Sequence, residues 1–149
     1  MYTERLSEQL AVVSRIDPDA YGPGATHGDA INMENVRRVL FIVQVGDMEA
    51  GSTVSFVVNG DTAADGAFAN PVTGKAITPL EAGVDDNSQV LVEVTAEEAK
   101  AQGFTFIRGT LTVADAASDA SVVALGGYLR YGPAAAYGLD SVIEMAWTP

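Results

Sequence analysis

His27, the single histidine of the chain, stands in the segment GATHGD and is the first residue to test for chemistry. A Ser-His-Asp site on an α/β scaffold is marked by a nucleophile turn of the form G-x-S-x-G, and the chain has none. With one histidine and no cysteine, a zinc site would have to be built from carboxylates, an unusual donor set for that ion. Gly74-Lys75 in NPVTGKAIT invites comparison with a phosphate loop. The first glycine of G-x-x-x-x-G-K-[ST] is missing, however, and residue 76 is alanine, so the backbone cradle for a phosphate is not encoded. Asp61 and Asp65 in NGDTAADG, and Asp85, Asp86 and Asn87 in GVDDNS, offer oxygen ligands without EF-hand spacing and read as solvated acidic turns. A glycosidase pair needs two carboxylates facing one cleft. Asp17, Asp19, Asp85, Asp86, Glu97 and Glu98 sit in turn-like or helix-like contexts with no accompanying cluster of Trp and Tyr. Trp147, the sole tryptophan, reads as a residue docking a terminal strand. These residues assign no catalytic, cofactor-binding or metal-binding role, and the expectation is a protein that is not an enzyme.

A different chemistry is offered by GGYLRYGPAAAYGLDS, residues 126 to 141, which sets Tyr128, Arg130, Tyr131, Pro133 and Tyr137 among small residues. The segment DAYGPG, with Tyr21 and Pro23, shares its Tyr-Gly-Pro. Proline restricts the backbone, glycine permits close approach, and tyrosine presents an apolar face with a polar tip. Such rigid amphipathic loops suit protein contacts, so these seven residues are the expected partner contacts. For any single tyrosine, covering the end of the fold is an equally natural role.

The elements that must position them read as strands. The chain is 149 residues long, enough for one compact domain. TERLSEQLAVVSRI spaces Leu6, Leu10 and Val13 at i, i+4 and i+7 and permits a short helix or an arm, and the turn-rich RIDPDAYGPGATHGDA follows. Residues 1–30 are therefore expected as an N-terminal arm contributing little core, ahead of a single domain over 31–149. VRRVLFIVQV is apolar on both faces, as in a strand covered from both sides, with Arg37-Arg38 at its entrance. TVSFVVN alternates around Val54, Phe56 and Val58 and reads as its antiparallel neighbour. Residues 60–88 look like a loop-rich surface insertion with at most a short strand around residues 76–78. QVLVEVT places Val90, Val92 and Val94 on one face, and AEEAKAQG reads as one or two helical turns ended by Gly103. In FTFIRGTLTV a change of apolar parity predicts a β-bulge at Arg108-Gly109. ASVVALGGYLR and SVIEMAW complete the strands, the last presenting Ile143, Met145 and Trp147 on one face. The fold class expected is all-β, an antiparallel β-sandwich of jelly-roll or Greek-key type.

The 20 acidic residues against 8 basic ones give a net charge of -12, which repels nucleic-acid phosphates and anionic membranes. Direct nucleic-acid and membrane partners are not expected. The longest apolar run, VLFIV, is far shorter than the about 20 residues of a spanning helix, and no secretion signal is read at the N-terminus.

In their order, VVSRIDPDAY, NMENVRRVLFIVQVGDM, TVSFVV, GKAIT, FTFIRGTLTVADAASDASVVALGG and RYGPAAAYGLDSVIEM resemble a family of small proteins encoded in the structural-gene regions of tailed phages and prophages. In size, acidity and β architecture the chain is also similar to head decoration, or cement, proteins. That resemblance implies a virion protein on the capsid exterior, present in the host cytoplasm during assembly. It also implies binding across the major capsid protein lattice, commonly as a dimer or trimer, to stabilise the shell. It transfers no particular residue. The alternatives are a minor tail, neck or head-fibre component and, from another class, a carbohydrate-binding β-sandwich module. The latter needs a row of exposed aromatics, and only 7% of the residues are aromatic. A hydrolase is the third choice.

Overall fold

The computed structural model describes residues 5–130 and 134–146. Tyr131, Pro133 and Trp147 lie outside the described residues. A single helical turn, α1 (Leu6–Gln9), leads straight into β1 (Leu10–Tyr21). Then come β2 (Gly24–His27), β3 (Ile31–Asn32), β4 (Val36–Met48) and β5 (Thr53–Asp61). The second half holds β6 (Asn70–Ala76), β7 (Leu80–Glu81), β8 (Gln89–Thr95), α2 (Ala96–Ala101), β9 (Phe106–Ala114) and β10 (Ser118–Leu129).

The strands form two sheets, ordered β1-β10-β4-β8 and β2-β9-β5-β6, with β3 also on β9 and β7 also on β5. We call them sheet A and sheet B. All pairings are antiparallel. Taking β2 with β3 and β6 with β7 as one strand each, the first strand pairs with the last, the second with the next to last, and so inward to β5 on β6. That nested order is a long hairpin rolled into two layers, the jelly roll, one of the two sandwich topologies expected from the sequence.

The core lies between the sheets. Val39, Phe41 and Val43 of β4 point inward, as do Val54, Phe56 and Val58 of β5, all at most 1% exposed. The Phe41 and Phe56 rings meet with centroids 5.4 Å apart, tilted by 52°. Val92 and Val94 of β8 are buried and Val90 packs against the same cluster, as their alternation predicted.

Several sequence expectations are corrected. The first thirty residues are not an arm, because Ala11, Val13 and Ile16 of β1 are buried and β1 pairs along β10. The spacing that permitted a longer helix yields to the sheet, where β-branched Val12-Val13 is favoured. β4 and β5 are not neighbours: the chain crosses between sheets in the turn after Met48, where Ser52 N–H donates to the Glu49 carbonyl at 2.9 Å. Residues 60–88 are not a mere insertion, since β6 and β7 complete sheet B and Phe68 and Val72 are buried. The β5–β9 register runs unbroken from Asp61↔Phe106 to Thr53↔Ala114, so there is no bulge at Arg108-Gly109. Phe104 precedes the strand and lies over Gly60, which explains its discordant parity. Residues 141–146 form no strand, and Ile143 is 94% exposed.

α2 closes sheet A at one end and has the expected boundaries. Thr95 Oγ1 accepts from Glu98 N–H, and the Glu98 carboxylate accepts from Thr95 N–H at 2.9 Å, a reciprocal cap. Lys75 Nζ reaches Glu98 at 2.8 Å, and this contact, first among several, holds the Glu98 carboxyl below its usual range. Gly103, at φ +83°, takes the left-handed conformation that ends the helix. Thr95→Ala is expected to cost about 1 kcal/mol in urea unfolding without changing the slope of the transition.

Candidate functional site

Sheet A buries one face against sheet B and turns the other away from it. On that outer face the register sets Val12 beside Leu125, Leu125 beside Leu40 and Leu40 beside Glu93. The adjacent row sets Arg15 beside Val123, Val123 beside Ile42 and Ile42 beside Leu91. Leu91 is 63% exposed, and Val12, Leu40, Ile42, Val123 and Leu125 are partly exposed. None of these six belongs to the core or packs against it. The double-sided apolarity of β4 does not mean cover from both sides: one side is covered by sheet B and the other is left open. Contiguous apolar patches of this kind mark binding surfaces.

Charge sits at the border of this patch rather than inside it. Arg15 pairs with Asp17 at 3.2 Å on the β1 side, and Arg38 pairs with Glu93 at 3.7 Å on the β8 side. All four side chains are largely exposed, so these pairs add little stability. Their effect is to hold the two cations against acids of the same chain. At the β1 edge the chain returns: Leu139 N–H donates to the Val12 carbonyl at 2.9 Å. Leu10, Val12, Leu125, Leu139, Val142 and Met145 then line an apolar groove of about 550 Å³ continuous with the patch.

The seven expected contact residues are not gathered in one place. Tyr21 lies opposite Ser118 at one end of β10, while Tyr128 is at the other end, about 33 Å away along the strand. The Tyr21 hydroxyl donates to the Asp17 carbonyl, and its pKa is raised by burial first and by Asp19 and Asp17 next. Pro23 is exposed. Tyr128 is 70% exposed at φ +53°, and the Arg38 guanidinium lies 5.3 Å from its ring centroid. This cation–π contact places Tyr128 at the margin of the patch. Tyr137 is half-buried and packs on the core, the covering role open to any of the tyrosines. Arg130 donates its backbone N–H to the Asn35 carbonyl at 2.9 Å, and Tyr131 and Pro133 lie outside the described residues. Leu40, Ile42, Leu91, Val123 and Leu125 escaped notice as contacts because a surface made of several strands has no signature within any one of them. The available signal was the excess apolarity of β4.

Several of the polar residues weighed for chemistry have structural partners. His27 Nδ1 lies 3.0 Å from Thr110 Oγ1, and Asn59 Nδ2 donates to the same hydroxyl at 3.5 Å. Among the described residues no carboxylate hydrogen-bonds His27. Asp85 and Asp86 accept the backbone N–H groups of Glu81 and Gly83. Asp61 accepts from Thr62, Ala63 and Phe68 N–H, which tightens the loop that buries Phe68. Arg108 lies over the Phe68 ring at 4.4 Å. Among the described residues no group of three or more His, Asp or Glu is placed to hold a metal ion, and no helix is long and apolar enough to cross a membrane.

The Asp61 carboxyl is held below its usual range, chiefly by the Phe68 N–H and then the Ala63 N–H. A depressed pKa contributes stability that is present above the unfolded-state value and lost as pH falls through the folded-state value. Asp61→Ala is therefore expected to melt at a lower temperature than the parent at neutral pH. The gap should narrow as pH drops below the ordinary carboxylate value of 3.8, read by thermal melts from neutral pH downward.

Fold and surface together define a jelly-roll protein with one uncovered apolar sheet face. No family model and no curated protein matches the chain.

Proposed function

We propose that this is a non-enzymatic structural protein of a tailed-phage particle, a head decoration or cement protein that binds the major capsid protein lattice on the capsid exterior and stabilises the shell. The observation that carries the reading is the outer face of sheet A. Leu40, Ile42, Leu91, Val123 and Leu125 form an apolar surface across three strands that this chain does not bury. Covering it with protein releases about 25 cal/mol per Å² of apolar surface. The jelly roll is compatible with the reading without selecting it, because the same fold serves capsid, lectin and cupin domains. The resemblance of the quoted segments to small virion proteins is what favours the phage particle over those other uses.

Charge narrows the partner. A chain of net charge -12 is steered toward a surface whose rim is basic, and its own paired arginines do not oppose the approach. The partner thus has an apolar centre and a basic rim, and binding weakens as salt rises. The test is to mix the purified protein with undecorated, expanded heads of the cognate phage and image them. Regular density on the lattice, together with heads that survive heating longer, is expected. Bare heads, or density at the portal vertex alone, would refute the decoration assignment and transfer the protein to the neck or tail.

A further inference from the structure

Away from the apolar face, Arg37, Lys100 and Arg130 line one recess of about 310 Å³, floored by Met33, Ala96 and Phe104. They are three of the eight basic residues of an acidic chain. Three separate elements bring them there. β4 opens with Arg37, α2 carries Lys100 in its last turn, and Arg130 follows β10.

The frame around the recess is fixed by backbone pairing. Leu129 is registered with Val36 and Arg38 with Thr95, which sets the end of β10 and the start of α2 on either side of the β4 entrance. Arg130 N–H donates to the Asn35 carbonyl, Met33 N–H to Thr105 and Phe104 N–H to Ala99, all within 3.0 Å. The pocket is therefore preorganised, and a ligand need not order it.

Glu34 and Glu97 line the same recess, yet among the described residues neither Arg37 nor Lys100 closes an ion pair with them. This contrasts with Arg15, Arg38 and Lys75, each of which is paired with an acid. Among the described residues, Arg37 and Lys100 thus keep their donors available at the recess within a chain of net charge -12. A guanidinium supplies paired donors to an oxyanion, and an ammonium adds a point charge. Beside them, the buried Met33 and the half-buried Phe104 ring suit an apolar body.

We propose that this recess binds a small ligand carrying an oxyanion, a phosphate or a carboxylate, on an apolar or aromatic body. The volume is at the small end of ligand pockets, which matches one ring and one anionic group. The site is independent of the apolar face and does not rest on the virion assignment.

The test is an amide NMR titration of the full-length protein with phenyl phosphate and with phenylacetate, against sodium chloride at matched ionic strength. Saturable shifts at Met33, Phe104 and Thr105 are expected with at least one of the two ligands. The Arg37→Ala/Lys100→Ala double variant should bind roughly tenfold more weakly, the loss of charge-assisted contacts. Both side chains are exposed, so the variant keeps its fold, and its spectrum verifies that directly. Preference for one ligand identifies the head group. Shifts equal to those produced by sodium chloride, or unchanged affinity in the double variant, would overturn the proposal.

Discussion

Gly109→Ala is expected to destabilise the protein by about 1–3 kcal/mol in urea unfolding, although it adds a single methyl group. A Cβ at this position would lie 2.7 Å from Phe56 Cζ, 2.8 Å from Phe56 Cε2 and 3.1 Å from Phe41 Cε1. Neither ring can withdraw to solvent, since Phe41 and Phe56 are 0% and 1% exposed and are packed against each other. The methyl must therefore move a ring off its rotamer or push the sheets apart, and close-packed interiors resist both. A double-mutant cycle identifies the cause. Phe56→Leu removes the clashing ring edge at its own cost, and in that background Gly109→Ala should cost at least about 1 kcal/mol less than in the parent. Additive losses would show that Gly109 is required for its backbone rather than for space.

Leu91→Asp is expected to weaken binding to expanded heads by about 30-fold or more, equivalent to at least about 2 kcal/mol, because it buries a charge against the partner's apolar surface. The substitution sets a carboxylate beside Ile42 at the β8 end of the apolar row, where an incoming surface would have to strip its water. Stability should change by less than about 1 kcal/mol, because Leu91 is 63% exposed and only its strand preference is lost. Val84→Asp is the control. Val84 is 77% exposed but lies in the turn after β7, off sheet A, and its replacement should leave binding unchanged. Equal losses from the two variants would point to general charge repulsion. Unchanged binding in Leu91→Asp would remove the outer face of sheet A from the interaction and leave the end near Tyr128 as the contact.

Much of the local structure could be read from single segments. Alternation in TVSFVVN selected Val54, Phe56 and Val58 as inward residues, and the same rule worked in QVLVEVT. Helix formers ahead of Gly103 located α2. These succeeded because pleat and helix pitch act over neighbouring residues. The proposed contacts are scattered: Tyr128 borders the open face, Tyr21 is at the far end of the sheet, and Tyr137 helps cover the core. Residue type alone does not distinguish a tyrosine that meets a partner from one that closes a fold, since both uses need the same apolar ring.

By itself the sequence determined an acidic all-β sandwich, the inward residues of its clearest strands and its short helix, since charge, hydrophobic period and caps are properties of neighbouring residues. Only the tertiary structure decided that β1 joins β10 across the length of the chain, that β4 and β5 belong to opposite sheets, and that Gly109 makes room for two phenylalanines. It also decided which side of β4 stays open and brought Arg37, Lys100 and Arg130 to one recess. The physical reason is that alternation states which residues avoid water but not which strand covers them. Pairing is settled by the joint packing of segments far apart in the chain, and a surface or a pocket exists only once those segments have met.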